Sequence, residues 1–113
     1  MNTSNIASVC LHLAKHRVTP NQMVVLLSCL DEPKKMTTLA TACNTTTANM
    51  TGIVDGLVNK EWVERKDDET DRRAVVIHIT PSGISDLKII VDSLNGMDEG
   101  QRTQDDATTL EKL

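Results

Sequence analysis

A chain of 113 residues with net charge −4 and a single aromatic side chain, Trp62, has the length of one ordinary domain; its core must be built from Leu, Ile, Val, Met and Ala. The lack of Phe and Tyr argues against single-strand nucleic-acid binders, which stack bases on aromatic platforms. The acidity is uneven, because residues 1–94 hold ten basic and eleven acidic side chains and residues 95–113 hold two and five, so the body is near neutral.

The longest apolar run, Met23 to Leu27, is too short to span a bilayer, and no secretion signal opens the chain. Three cysteines, Cys10, Cys29 and Cys43, form no Cys-x-x-Cys pair and suit a reducing compartment. The expectation is a soluble protein of the cytoplasm, with no membrane contact.

In chain order, Ile6, Val9, Cys10 and Leu13 recur at helical spacing after the candidate caps Thr3 and Ser4, which predicts a helix to about His16. Thr19-Pro20-Asn21-Gln22 is a capping box that opens a second helix carrying Met23, Leu26, Leu27 and Leu30, ended before Pro33. Thr37 is read as the cap of a short helix over Thr38 to Cys43, with Asn44 in the left-handed turn that ends it. Thr46 caps a fourth helix whose Met50, Ile53, Val54, Leu57 and Val58 form an apolar stripe. The opposite face is small and polar: Ala48, Gly52, Asp55, Gly56 and Asn59, with Asn49 at its margin.

Beyond Lys60 the period switches to two. Trp62 to Lys66 and Arg73 to Thr80 read as strands of a hairpin with a charged tip, with Val75, Ile77 and Ile79 on one face. Thr80-Pro81 caps a last clear helix, with Ile84, Leu87, Val91 and Leu94 near heptad spacing and Asn95-Gly96 as its stop. In the tail, Thr103 to Lys112 is a candidate short helix carrying Ala107 and Leu110.

Helix, helix, short helix, capped helix, hairpin, helix is the order of a winged helix-turn-helix. The fold class is α+β, mainly α, with residues 1–17 as an N-terminal dimerisation helix, 18–80 as the DNA-binding domain, and 81–113 as a C-terminal helix and acidic tail that also serve dimerisation. At this point "LATACNTTTANMTGIVDGLVNKEWVERK", followed by "DETDRRAVVIHITPSG", resembles the MarR family of transcriptional regulators, as does the second helix "TPNQMVVLLSCL". The resemblance covers about Val18 to Leu94, and its most specific piece is Asp71-x-Arg73 followed by Thr80-x-x-Gly83.

The resemblance implies that Arg73 is the wing arginine, entering a DNA minor groove where negative potential is concentrated. Asp71 would hold it through a charge-assisted hydrogen bond, and Arg72 would touch phosphate. The bland alternative is a solvated turn whose ion pairs contribute little. The positions that match the family's DNA-reading helix are Thr46, Thr47, Ala48, Asn49, Thr51 and Gly52. Asn49 suits a bidentate contact to adenine, and the threonines suit phosphate or a thymine methyl. Lys34, Lys35 and Lys66 are candidate phosphate contacts.

The chain departs from the family's pattern in places. Gly52 and Gly56 stand where relatives often carry basic residues, and Glu61 replaces the glycine that usually ends this helix. The terminal helices are also short, with about nineteen residues before the second helix. A homodimer on a pseudo-palindromic operator is nonetheless implied, with Ile6, Val9, Leu13, Ile84, Leu87, Val91 and Leu94 as the dimerisation set. An intramolecular core stripe is the alternative. A small-molecule effector is a further candidate partner, since family members enclose a ligand pocket beside the DNA-binding domain.

The cysteines are read as buried and inert, with no basic neighbour to activate them. His12 and His16 have ligand spacing but no third partner, so no metal and no cofactor is expected. No phosphate loop, nucleophile elbow or zinc-hydrolase motif points to an enzyme. Two readings remain: a sequence-specific regulator of double-stranded DNA, repressor in type, or a winged helix that has lost DNA binding and serves as a protein adaptor.

Overall fold

The structure is a computed structural model that describes residues 2–103. Its element order is α1 (Thr3–Lys15), α2 (Pro20–Ser28), β1 (Lys34–Lys35), α3 (Met36–Ala42), α4 (Thr47–Asn59), β2 (Val63–Asp67), β3 (Val75–Ile79) and α5 (Pro81–Thr103). Pro20–Leu87 forms one compact unit, and the residues up to Thr19 and from Lys88 onward form another. Apart from the tail helix, the expected helices and the hairpin are present among the described residues, and the mainly α character holds.

In the unit Pro20–Leu87, α2 begins at the proline, whose fixed φ suits the first helical position. Met23, Val25 and Leu26 of α2 are buried with Leu39 and Ala40 of α3, Met50, Val54 and Leu57 of α4, and Val63 and Ile77 of the sheet. Leu27 and Leu30, which the apolar pattern includes in the second helix, each remain 47% exposed. Met23 and Leu26 turn inward as the pattern predicts, joined by Val25 and by Cys29 just past the helix, which stops at Ser28 short of Leu30. Helix α4 runs as its cap predicts, with Thr46 Oγ1 accepting the Asn49 N–H at 3.1 Å. It ends at Glu61, whose φ of 62° takes the left-handed conformation usually given to glycine. Asn44 closes α3 in the same way, with φ 52°.

Two expectations fail at the start of α3. Lys34 and Lys35 form a two-residue strand that pairs antiparallel with Ile77 and Val76, giving a sheet ordered β1-β3-β2. Because that pairing holds Lys35 extended, α3 starts directly after it at Met36, and the cap position falls to Lys35, which makes no side-chain cap. Thr37 is therefore inside the helix, where its carbonyl accepts the Thr41 hydroxyl at 3.1 Å.

The base of the hairpin is closed around Trp62. Its backbone carbonyl accepts the Thr80 N–H at 2.9 Å, and its indole Nε1 donates to Asp86 of α5 at 2.6 Å. Thr80 Oγ1 donates to the Glu61 carbonyl and accepts the Gly83 N–H at 2.9 Å, which caps α5 as expected. A Cβ on Gly83 would lie 2.1 Å from the Trp62 carbonyl oxygen, so no side chain fits there. The Lys60 ammonium sits 4.6 Å from the Trp62 ring centroid.

In the other unit, Asn2 caps α1 instead of Thr3 or Ser4. Its backbone is extended and its Oδ1 accepts the Asn5 N–H at 3.0 Å, while Thr3 and Ser4 are already helical. Arg17, at φ 58°, turns the chain after α1, and Val18 N–H reaches back to the Leu13 carbonyl at 3.0 Å. Helix α5 does not stop at Asn95-Gly96 but continues to Thr103. An Asn-Gly pair ends a helix when the glycine goes left-handed, and no described glycine has positive φ. A glycine left inside a helix costs about 1 kcal/mol relative to alanine, which a 23-residue helix tolerates. The tail helix expected over Thr103 to Lys112 lies outside the described residues beyond Thr103, the last residue of α5.

Candidate nucleic-acid interface

The first two turns of α4 present Thr46, Thr47, Ala48, Asn49, Thr51 and Gly52, all exposed. The residues are small because the buried stripe, Met50, Val54 and Leu57, lies on the other side of the same helix. Nothing stands within 4 Å of the place a Cβ would take on Gly52. Gly56 differs, since a Cβ there would meet Gln22 Nε2 at 2.6 Å, so its smallness serves the packing of α2 on α4. Thr51 donates its hydroxyl to the Thr47 carbonyl at 3.0 Å, and Asn49 Nδ2 donates to the Thr45 hydroxyl at 3.1 Å.

The wing tip is shaped by two aspartates. Asp68 Oδ1 accepts both the N–H and the hydroxyl of Thr70, at 3.1 and 3.0 Å, and Asp68 N–H donates to the Ala74 carbonyl at 3.0 Å. These bonds, the Thr70 N–H above all, hold the Asp68 carboxyl below its ordinary range. Asp71 Oδ1 accepts the backbone N–H of Arg73 at 3.0 Å. That corrects the bond expected for Asp71, which binds the amide of Arg73 and not its guanidinium. The turn places Asp71 two residues before the amide it accepts, the geometry of an Asx turn, and leaves the guanidinium outside it. Arg72 and Arg73 are exposed, and neither guanidinium makes an ion pair or hydrogen bond to the described residues.

Arg73 lines a cleft of about 260 Å³ with Lys35 and Thr37 on one side and Thr47, Thr51 and Arg65 on the other. The cleft joins wing, strand β1 and the N-terminal half of α4 in one concave, cationic surface. Arg65 fixes its width. From β2 it donates to the Thr51 carbonyl at 3.1 Å and to the Asp55 carboxylate, both on α4. Nothing local in the sequence marks this link, because the two partners of Arg65 lie fourteen and ten residues away.

The other basic candidates are engaged as well. Lys34 is paired with Glu32 at 3.0 Å and Asp31 at 3.3 Å, and the Glu32 hydrogen bond leads in holding its ammonium above the ordinary lysine range. Lys35 pairs with Asp68 at 3.6 Å, and Lys66 with Glu64 at 3.2 Å. Lys34 and Lys66 lie outside the cleft's lining, while Lys35 lies within it.

Of the residues assigned to dimerisation, Leu13 and Leu87 are 7% and 2% exposed, so the chain's own fold covers them before a second chain arrives. Val9, Val91 and Leu94 are half-buried, and Ile6 and Ile84 are exposed. Leu11 and Ile89, absent from that set, are the most exposed large apolar side chains among the described residues, at 70% and 56%.

The cysteines do not share one environment. Cys29 is buried and burial pushes its thiol up; Cys43 is half-buried, also pushed up by burial, and donates to the Asn21 carbonyl at 3.7 Å. Cys10 is exposed, contrary to the expectation. Among the described residues no group of three His, Cys, Asp or Glu side chains stands close enough to hold a metal ion. No helix there is long and apolar enough to cross a membrane.

With this geometry in place, the sequence model of the MarR family matches residues 18–75. An uncharacterised HTH-type transcriptional regulator of Bacillus subtilis, YpoP, is 41% identical over 51 residues, which are 45% of this chain and 36% of YpoP. The match thus spans about a third of that relative's length. The transcriptional regulator BldR of Sulfolobus solfataricus superposes with TM-score 0.75 at 27% identity, covering 89% of this chain and 73% of BldR. The transcriptional repressor CouR, solved on a 23-mer DNA duplex, superposes with TM-score 0.77 over 96% of this chain and 80% of its own; at 22% identity that likeness establishes the shared fold.

Proposed function

This chain belongs to the MarR family, and on that footing we propose that it is a DNA-binding transcriptional regulator of repressor type, acting as a homodimer on a pseudo-palindromic site. The start of α4 enters the major groove, and Arg73 reaches the adjacent minor groove. The observation that carries this reading is the contrast among the cations. Lys34, Lys35, Arg65 and Lys66 each have a carboxylate partner, whereas the guanidiniums of Arg72 and Arg73 have none among the described residues. Two desolvation-ready charges at the tip of a rigid hairpin suit phosphate and the narrow groove. CouR, which has the same fold, is bound to a duplex in its own structure, and that supports duplex DNA as the partner.

In this reading Asp71 acts through the backbone, shaping the turn that presents Arg73. Arg65 sets the distance from wing to recognition helix by tying β2 to the Thr51 carbonyl and Asp55. Two-fold symmetry follows from the operator, since one wing and one helix read only a half-site. Exposed Ile6, Leu11 and Ile89 in one unit, and Ile84 in the other, are apolar side chains open to a second copy.

The test is titration of random duplex at several salt concentrations. The wild type retards duplex at low salt, with log affinity falling linearly against log salt; Arg73→Ala weakens binding and lowers the slope by about one. A wild type that leaves duplex unretarded at low salt returns the chain to the protein-adaptor reading.

A further inference from the structure

Resting on the DNA-binding reading, we propose that Asn49 selects adenine in the major groove and that Thr45 is the positioning residue that gives the selection its sharpness. Thr45 lies in the turn between α3 and α4, outside the helix that would enter the groove. Its backbone is pinned, because its N–H donates to the Ala40 carbonyl at 2.9 Å, and its half-buried side chain points its hydroxyl at Asn49 Nδ2, 3.1 Å away. The backbone of Asn49 is held independently by the Thr46 cap at 3.1 Å. An exposed asparagine would ordinarily rotate its amide freely; this one is fixed at both ends.

The consequence lies in what the amide has left. Asn49 Nδ2 carries two hydrogens and spends one on Thr45, which leaves one N–H donor beside the Oδ1 acceptor. That donor–acceptor pair matches adenine, whose N7 accepts and whose N6 donates. Guanine offers two acceptors, N7 and O6, and the second would face Oδ1 with no hydrogen between them. Without Thr45 the amide is free to flip, which puts Oδ1 opposite N7 and loses the match to adenine. With Thr45 in place the order of donor and acceptor is set before DNA arrives.

Gly52 adds clearance. It stands three residues on from Asn49, on the same face of α4, and nothing within 4 Å occupies the space a Cβ would take. Packing inside the chain therefore gives no reason for a glycine, which weakens a helix wherever it stands. A base-pair edge next to the adenine, thymine methyl included, can approach the α4 backbone there without meeting a side chain.

The test starts from duplexes selected by the wild type from a random pool, followed by competition between a selected duplex and the same duplex with a single A·T pair changed to G·C. The wild type is expected to prefer adenine at one position per half-site by on the order of tenfold. Asn49→Ala loses that preference at that position alone. Thr45→Ala keeps its affinity for random duplex but loses most of the preference, and Thr45→Ser, which retains the hydroxyl, keeps it. Melting temperatures of all three variants verify that each is folded. Thr45→Ala or Asn49→Ala selecting the wild-type base with wild-type sharpness overturns this inference alone. Absence of any duplex binding by the wild type removes the DNA-binding reading and this inference with it.

Discussion

The two ends of the β2–β3 hairpin are built by opposite means. At the base, Trp62 and Val63 are buried, Thr80 and Asp86 bond to the Glu61–Trp62 segment, and Gly83 approaches so closely that a methyl group would collide with backbone. At the tip, Asp68 and Asp71 shape an exposed turn through hydrogen bonds to its own amides, and two arginines project with no guanidinium partner among the described residues. Packing at the base supplies rigidity. Local hydrogen bonds at the tip supply shape without covering the charges. Packing and exposed charge are thereby separated along one hairpin, and substitutions should separate stability from the proposed DNA contact too.

The largest effect is expected at the base. Gly83→Ala forces a Cβ against the Trp62 carbonyl, 2.1 Å away in the native geometry, and backbone cannot yield as a flexible side chain would. A loss of about 3 kcal/mol is expected, read as a large fall in melting temperature by circular dichroism. A variant that melts with the wild type would mean the base is looser than its contacts imply. At the tip, Arg73→Ala should do the reverse, lowering duplex affinity on the order of tenfold while leaving the melting temperature unchanged.

Asp71 sharpens the comparison further. If it works by accepting the Arg73 N–H, Asp71→Asn keeps an oxygen in the same place and binds duplex nearly as the wild type does, while Asp71→Ala loses affinity a few-fold. Equal losses in both would mean that its charge matters and not its hydrogen bond. The smallest effect is one of pH. The Thr70 N–H, followed by its hydroxyl, holds the Asp68 carboxyl below the ordinary 3.8, so its folded pKa lies under its unfolded one. Such a group stabilises the folded turn above the unfolded value and loses that contribution as pH falls through the folded one. Amide exchange at the tip should therefore quicken only below about pH 4, with the Trp62 end unaffected by this carboxylate.

Some of this architecture is legible in a single sequence and some is not. The apolar stripe of α4, its Thr46 cap, the left-handed Asn44 and the alternation of β3 can each be read within a window of a few residues, whereas Glu61 takes the left-handed conformation with no glycine to announce it. Strand β1 cannot, because two lysines carry no period and become a strand only by pairing with Ile77 and Val76. The same limit explains Leu27 and Leu30, which fit a helical stripe but face outward, and Asn95-Gly96, which has the composition of a stop yet stays helical. In the candidate site, Thr46 to Gly52 and Arg72-Arg73 are found from their residues. The Thr45–Asn49 and Arg65–Asp55 links come only from the folded chain.

The sequence by itself determined the local grammar of this protein: where helices start, which faces are apolar, and that a charged turn caps a two-stranded wing. Tertiary structure alone decided which charges remain available, by bringing Asp55 to Arg65 and Asp68 to Lys35 and leaving the two wing arginines without an ion pair among the described residues. The reason is range. Caps and periods act over three or four residues along the chain, whereas an ion pair forms only where separate segments meet in space.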